Sequence, residues 1–118
     1  NKMAGLSLLE LAVFVLLMPI VEELIFRGVV QEQLYRALPK DRGRLLWIGK
    51  ANLVTSILFA LAHWLFRDPL TALLVFPASL LFGWLYERHH SLTLPVLAHI
   101  LANACFLVVT SFLLTDTI

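Results

Sequence analysis

Cysteine is nearly absent. Cys105 is the single one in 118 residues, so the chain can form neither an internal disulfide nor a cysteine-based metal cluster. It lies in an apolar stretch and reads as a small packing residue. Charge is scarce as well: charged residues make up 14% of the chain and the net charge is +1, where soluble domains carry roughly 25%. That balance excludes the electrostatics of nucleic-acid binding, and no basic run is interleaved with aromatics. The first hydrophobic stretch lacks a preceding basic region and a small-residue cleavage site, so it is not a signal peptide. The chain begins at Asn1 and reads as an excised core, with further spans expected upstream. Internal repeats and low-complexity segments are missing too. So is Gly-x-Ser-x-Gly, and neither Ser56 nor Ser79 has an evident base partner for nucleophilic catalysis.

What is abundant is apolar surface. Hydrophobic residues make up 60% of the chain and its mean hydropathy is +0.88. The length allows one domain and, at roughly 20 residues per span, about four transmembrane helices. The expected fold is all-α: a polytopic membrane helix bundle forming one core over residues 1–118, with helices over about 7–38, 45–66, 69–86 and 94–114.

Local signals mark the ends of these helices. Ser7 and Glu10 have the spacing of a capping box. Pro19 is expected to kink the first helix, which turns amphipathic after Arg27. Residues 39–44 form a turn by composition, and Trp47 and Trp64 bracket the second span as interfacial anchors. Asp68 and Pro69 supply an N-cap and a proline at the first helical position. Pro77 is a second expected kink, while Ala78, Ser79 and Gly83 allow close helix packing. Residues 87–91 read as a loop in which His89 and His90 are a solvated pair, since two histidines alone make a poor metal site. Basic residues concentrate in the first connection (Arg36, Lys40, Arg42, Arg44 and Lys50), with Arg67 in the second and Arg88 in the third. The positive-inside bias therefore predicts that loops about 36–50 and 87–91 are cytoplasmic.

Against this apolar background the polar residues stand out. Glu22, Glu23 and Arg27 lie together in the first helix, where each ionised group at mid-membrane costs roughly 2.5 to 3.5 kcal/mol or more. Glu23 and Arg27, four apart, can neutralise one another, which leaves Glu22 without a partner. Asn52, Ser56 and His63 share a helical face with Phe59 in the second span; His99 and Asn103 are one turn apart in the fourth. In an antiparallel hairpin centred near Asp41, Glu22 and His63 come out nearly level, and His99 lies within roughly 10 Å of that depth at 1.5 Å per residue. A lone intramembrane histidine or asparagine is often interhelical glue. An unpaired carboxylate, two histidines and an amide in one bundle suggest chemistry. A carboxylate beside an imidazole can deprotonate water. A second imidazole and an amide can donate to the oxyanion formed when that water attacks a carbonyl.

Three groups of residues, in chain order, resemble the motifs of the CAAX protease and bacteriocin-processing (CPBP, or ABI) family of intramembrane glutamic endopeptidases. They are Glu22-Glu23-x-x-x-Arg27-Gly28, Phe59-x-x-x-His63 and His99-x-x-x-Asn103, supported by Gly83-Trp84-Leu85-Tyr86 and Leu94-Pro95-Val96-Leu97. The resemblance runs from about Pro19 to Ala104. It implies that Glu22 and His63 activate water, that His99 and Asn103 form an oxyanion hole, and that Glu23 and Arg27 orient and neutralise the site. It also implies a metal-free and cofactor-free hydrolase, an integral protein of a bacterial or archaeal plasma membrane, acting on a membrane-anchored peptide or protein. Family domains usually carry additional spans before the glutamate helix. Two other readings remain open. Glu22, His63 and His99 form a set that zinc accepts, although no His-Glu-x-x-His is present. The same bundle is also compatible with a non-catalytic scaffold or immunity protein.

Overall fold

A computed structural model of the protein describes residues 7–38 and 48–116. These form four helices and no β-strand. The first helix, α1, runs unbroken over residues 8–37 but changes register along its length, with α-helical turns at Leu8–Ala12, Met18–Ile25 and Glu32–Ala37. Wider π turns at Val13–Leu17 and Phe26–Gln31 separate them. The others are α2 (Lys50–Phe66), α3 (Pro69–His89) and α4 (Thr93–Asp116).

Local chemistry explains most of the ends. Ser7 Oγ accepts from Glu10 N at 3.1 Å while Glu10 Oε1 accepts from Ser7 N at 3.2 Å, closing the expected capping box. Asp68 caps α3, its two carboxylate oxygens accepting from the Thr71 amide and hydroxyl at 2.7 and 2.8 Å. The π turn at Val13–Leu17 stands where a Pro19 kink was expected. Proline has no N–H to return to the preceding turn, and a π turn is one way a helix absorbs that loss.

Two boundaries differ from the sequence reading. The helix expected from residue 45 starts at Lys50, because Gly49 is extended (φ −84°, ψ 167°) and stands outside the helix; residues 45–47, Trp47 among them, and the turn at 39–44 lie outside the described residues. The third helix extends past Tyr86 through Glu87, Arg88 and His89, so most of the expected 87–91 loop is helical. Arg88 and His89 suit the negative end of the helix dipole. The chain turns only at His90, which adopts the left-handed conformation (φ 49°) and meets Tyr35 edge-on at 5.5 Å. Cys105, expected to pack, is exposed on α4.

Lengths decide which helices can span a bilayer. α3 and α4 are long and apolar enough: Pro69–His89 and Thr93–Leu113 reach mean hydropathies of 1.6 and 2.1 over their most apolar 18 residues. α2, at 17 residues and about 26 Å, is at the short limit for a core about 30 Å thick.

The bundle is inside out by the standard of a soluble protein. Leu65, Leu73, Leu101 and Phe112 are exposed, whereas Glu23, Arg27, Gln31, Asn52, Ser56 and Ser79 are fully buried. Only 6% of the apolar window of α4 is buried, so its exterior needs an apolar solvent. Hydrophobic burial does not hold helices together in lipid; close packing and interhelical hydrogen bonds do. Three such bonds end on backbone carbonyls of α3. Arg27 donates to Ser79 O, Gln31 to Gly83 O at 3.1 Å, and Asn52 to Leu80 O at 2.9 Å. Gly83 makes the close approach possible: a Cβ there would collide with the Asn52 amide and lie 2.8 Å from Gln31 Oε1. α2 packs chiefly on α3, and α4 on α3 and on the first half of α1, while the second half of α1 lies on α2. α1 thus bridges α2 and α4, and its middle carries Glu22, Glu23 and Arg27.

Candidate active site

The middle of α1 faces α2, α3 and α4 across a cavity of about 170 Å³. Glu22 from α1, His63 from α2 and His99 with Asn103 from α4 all line it. The four residues singled out in the sequence therefore converge, although nothing in their spacing required a common cavity. Apolar side chains, among them Phe14, Met18, Leu74 and Phe106, make up most of the remaining wall. The cavity reaches Arg67 and Thr71 at the α2–α3 connection.

His99 is the hub. Its Nδ1 lies 2.8 Å from Glu23 Oε2 and its Nε2 3.4 Å from Glu22 Oε1. A carboxylate only accepts, so Nδ1 carries a proton towards Glu23. Nε2 can donate to Glu22, or to any other oxygen, only when the ring carries both protons. Phe82 stacks on the ring at 4.8 Å with 19° between planes, and Phe59 meets it edge-on at 5.9 Å. The imidazole is thereby held on both edges and across its plane.

His63 is oriented by its own helix. Its Nδ1 sits 2.7 Å from the Phe59 carbonyl, one turn earlier, and Phe59 packs against it at 4.5 Å between ring centroids. A carbonyl can only accept, so Nδ1 is the donor and the neutral ring keeps its lone pair on Nε2. That is the tautomer required to take a proton from water.

Behind the cavity wall lies a buried charged layer. Glu23 and Arg27 form the expected pair at 3.4 Å, both side chains at 0% exposure. Their mutual neutralisation is only part of the arrangement: Glu23 also holds His99, and Arg27 donates to both the carbonyl and the hydroxyl of Ser79. Arg27 further lies 5.3 Å from the centroid of Phe59 and 5.8 Å from that of Phe82. Glu22, read from the sequence as lacking a partner, has His99.

Asn103 has a structural engagement. Its Nδ2 donates to the Phe14 carbonyl at 3.1 Å. The π turn sends the Met18 N–H to Val13 O, and the next residue, Pro19, has no N–H to offer. Phe14 O is left without a donor from its own helix, and Asn103 supplies one across the bundle. The same nitrogen carries a second hydrogen, and Asn103 lines the cavity.

Several contributors escaped the sequence reading. Gln31 extends the Glu23–Arg27 spacing by four more residues and ties α1 to Gly83 O and to Glu87 Oε2 at 2.8 Å; that spacing was the available signal. Ser79 was read as a packing residue and set aside as a nucleophile, and Phe82 was not singled out. Asn52 and Ser56, recognised as polar, bond to each other at 3.1 Å on α2, away from the cavity lining. His89 and His90 are exposed at the far end of α3. As for zinc, among the described residues no three His, Cys, Asp or Glu side chains stand in metal-holding geometry.

No curated protein and no solved structure matches the chain. A protein-family description does match, over residues 4–105, and spans all three charged or polar motifs. The chain belongs to the family of type II CAAX prenyl endopeptidases described as Rce1-like.

Proposed function

We propose that this protein is an intramembrane endopeptidase of glutamic type, hydrolysing a peptide bond in a membrane-associated protein or peptide. Membership of a protease family supports hydrolysis. The observation that carries the finer reading is the convergence of Glu22, His63, His99 and Asn103, from three helices, on one cavity. In this mechanism Glu22 and His63 hold a water between them, and Glu22 takes its proton as the water attacks the scissile carbonyl. His63 Nε2, with Nδ1 committed to Phe59 O, accepts the second hydrogen of that water. The developing oxyanion receives N–H donors from His99 Nε2 and the free hydrogen of Asn103. Glu23, backed by Arg27, balances the charge of His99 when its ring carries both protons.

In this reading all four helices are membrane-embedded, and loops about 36–50 and 87–91 face the cytoplasm because basic residues gather there. The exposed apolar exterior and buried charged interior support the embedding. The test is substitution in the membrane-inserted protein. Glu22→Gln and His63→Ala are expected to abolish processing while insertion and folding persist. Unchanged activity in both variants would overturn the protease reading in favour of a scaffold. Activity lost on complete metal removal and restored by zinc would favour the metalloprotease alternative.

A further inference from the structure

Among the described residues that line the cavity, Arg67 is the one permanent cation, and the catalytic scheme does not use it. Arg67 ends α2, one turn beyond His63, and lines the cavity on the side of the α2–α3 connection. Its guanidinium lies 5.6 Å from the centroid of Phe14, across the cavity on α1. An arginine near a membrane surface ordinarily finds water or a neighbouring carboxylate, and Asp68 is adjacent. Asp68 and, across the cavity, Glu22 lie within electrostatic reach of Arg67, but the Asp68 oxygens accept from the Thr71 amide and hydroxyl rather than from the guanidinium. Among the described residues no carboxylate lies within ion-pair distance of Arg67. The Phe14 ring fixes the face of the guanidinium and leaves its N–H edges, with five donors in a fork, unclaimed. A planar fork beside an apolar cavity fits a carboxylate bidentately.

The geometry points to Arg67 as a specificity residue that binds a carboxylate of the substrate, and this rests on the proposed endopeptidase reading. Four residues of helix separate it from His63, a rise of about 6 Å. Extended peptide advances about 3.3 Å per residue, so the recognised carboxylate stands roughly two residues from the bond cleaved. It is either the substrate's C-terminal carboxylate or an acidic side chain at that distance.

The experiment measures binding separately from turnover. The full chain carrying Glu22→Gln, reconstituted in nanodiscs of zwitterionic lipid, is titrated with a short N-myristoylated, dansylated peptide ending in apolar residues. The peptide is made with a free C-terminal carboxylate, with a C-terminal amide, and as the amide with an aspartate near its end. Arg67→Gln in this background is expected to weaken binding of the free acid roughly 10- to 100-fold, the range of a charge-assisted pair, and to leave the plain amide unchanged. Arg67→Lys should keep part of the preference, which separates charge recognition from misfolding. Tight binding of the aspartate-bearing amide identifies a side-chain carboxylate as the source; tight binding of the free acid alone identifies the C-terminus. Equal binding of acid and amide by the Arg67-containing protein, retention of the preference in Arg67→Gln, or no binding of either peptide overturns the assignment. Cleavage of the same peptides by the chain with Glu22 intact separates the two ideas: turnover without discrimination rejects the role of Arg67 alone, whereas discrimination in binding without turnover rejects the endopeptidase reading.

Discussion

The Glu23–Arg27 pair offers a quantitative test of how the charged layer is held. Both side chains are inaccessible to solvent, so removing one partner leaves the other charge buried, a change that costs about 3–5 kcal/mol in proteins generally. Two features place this pair at the lower end. Its contacts of 3.4 and 3.5 Å are longer than the roughly 2.7–2.9 Å of a tight charge-assisted bond. Each residue also has a second partner, Ser79 for Arg27 and His99 for Glu23. Glu23→Gln, which preserves shape and an acceptor for His99, and Arg27→Met are each expected to cost about 3 kcal/mol. The double substitution removes both charges at once and should cost about 2 kcal/mol less than the sum of the singles. The assay is reversible unfolding from mixed micelles by added sodium dodecyl sulfate, followed by circular dichroism. Additive effects, or single variants as stable as the parent, would refute the reasoning.

Other perturbations follow from particular contacts. Gly83→Ala forces a methyl group against the Asn52 amide and Gln31 Oε1; it should destabilise the bundle by about 2–4 kcal/mol in the same unfolding assay. Asn103→Ala loses a bond to Phe14 O worth about 1 kcal/mol as interhelical glue. If the amide also donates to an oxyanion, kcat falls about 100-fold or more, whereas a stability change with kcat intact would confine Asn103 to the structural role. Asp68 stands between α2 and α3, outside both helices, and the Thr71 amide, then its hydroxyl, hold the Asp68 carboxyl below its ordinary value of 3.8. A depressed folded-state value means that the cap contributes fully above the ordinary pKa and is lost as pH falls through the lower one. Hydrogen exchange in the first turn of α3 should therefore accelerate only in strong acid, and an Asp68→Ala variant should lose that dependence.

The sequence displays its polar residues clearly because each costs free energy inside an apolar helix and is retained only for a reason. That is why Glu22, Glu23, Arg27, His63, His99 and Asn103 could be picked out before any geometry. The pairing among them was less legible. Adjacent residues in a helix differ by about 100° in direction, so a single π turn changes which of Glu22 and Glu23 meets a given histidine. Two π turns interrupt α1, at Val13–Leu17 and Phe26–Gln31, and no residue pattern announces the second. The result is that His99 contacts both carboxylates, beside the expected Glu23–Arg27 pair, where His63 was expected next to Glu22. The orphaned Phe14 carbonyl has the same origin, since it depends on the π register as well as on Pro19. Helix ends were legible where a side chain caps them, at Ser7 and Asp68. They were not where a backbone conformation decides, at Gly49 and His90.

The proposed endopeptidase activity depends on Glu22 as the group that activates water. Its most direct measurement is mass spectrometry of membrane peptides from matched cells expressing the protein with Glu22 or with Glu22→Gln at equal levels. At least one membrane-anchored precursor is expected to be cut only when Glu22 is present, with a single defined new terminus, and to accumulate uncut in the variant. Identical peptide profiles from the two, with both proteins folded and inserted, would contradict it.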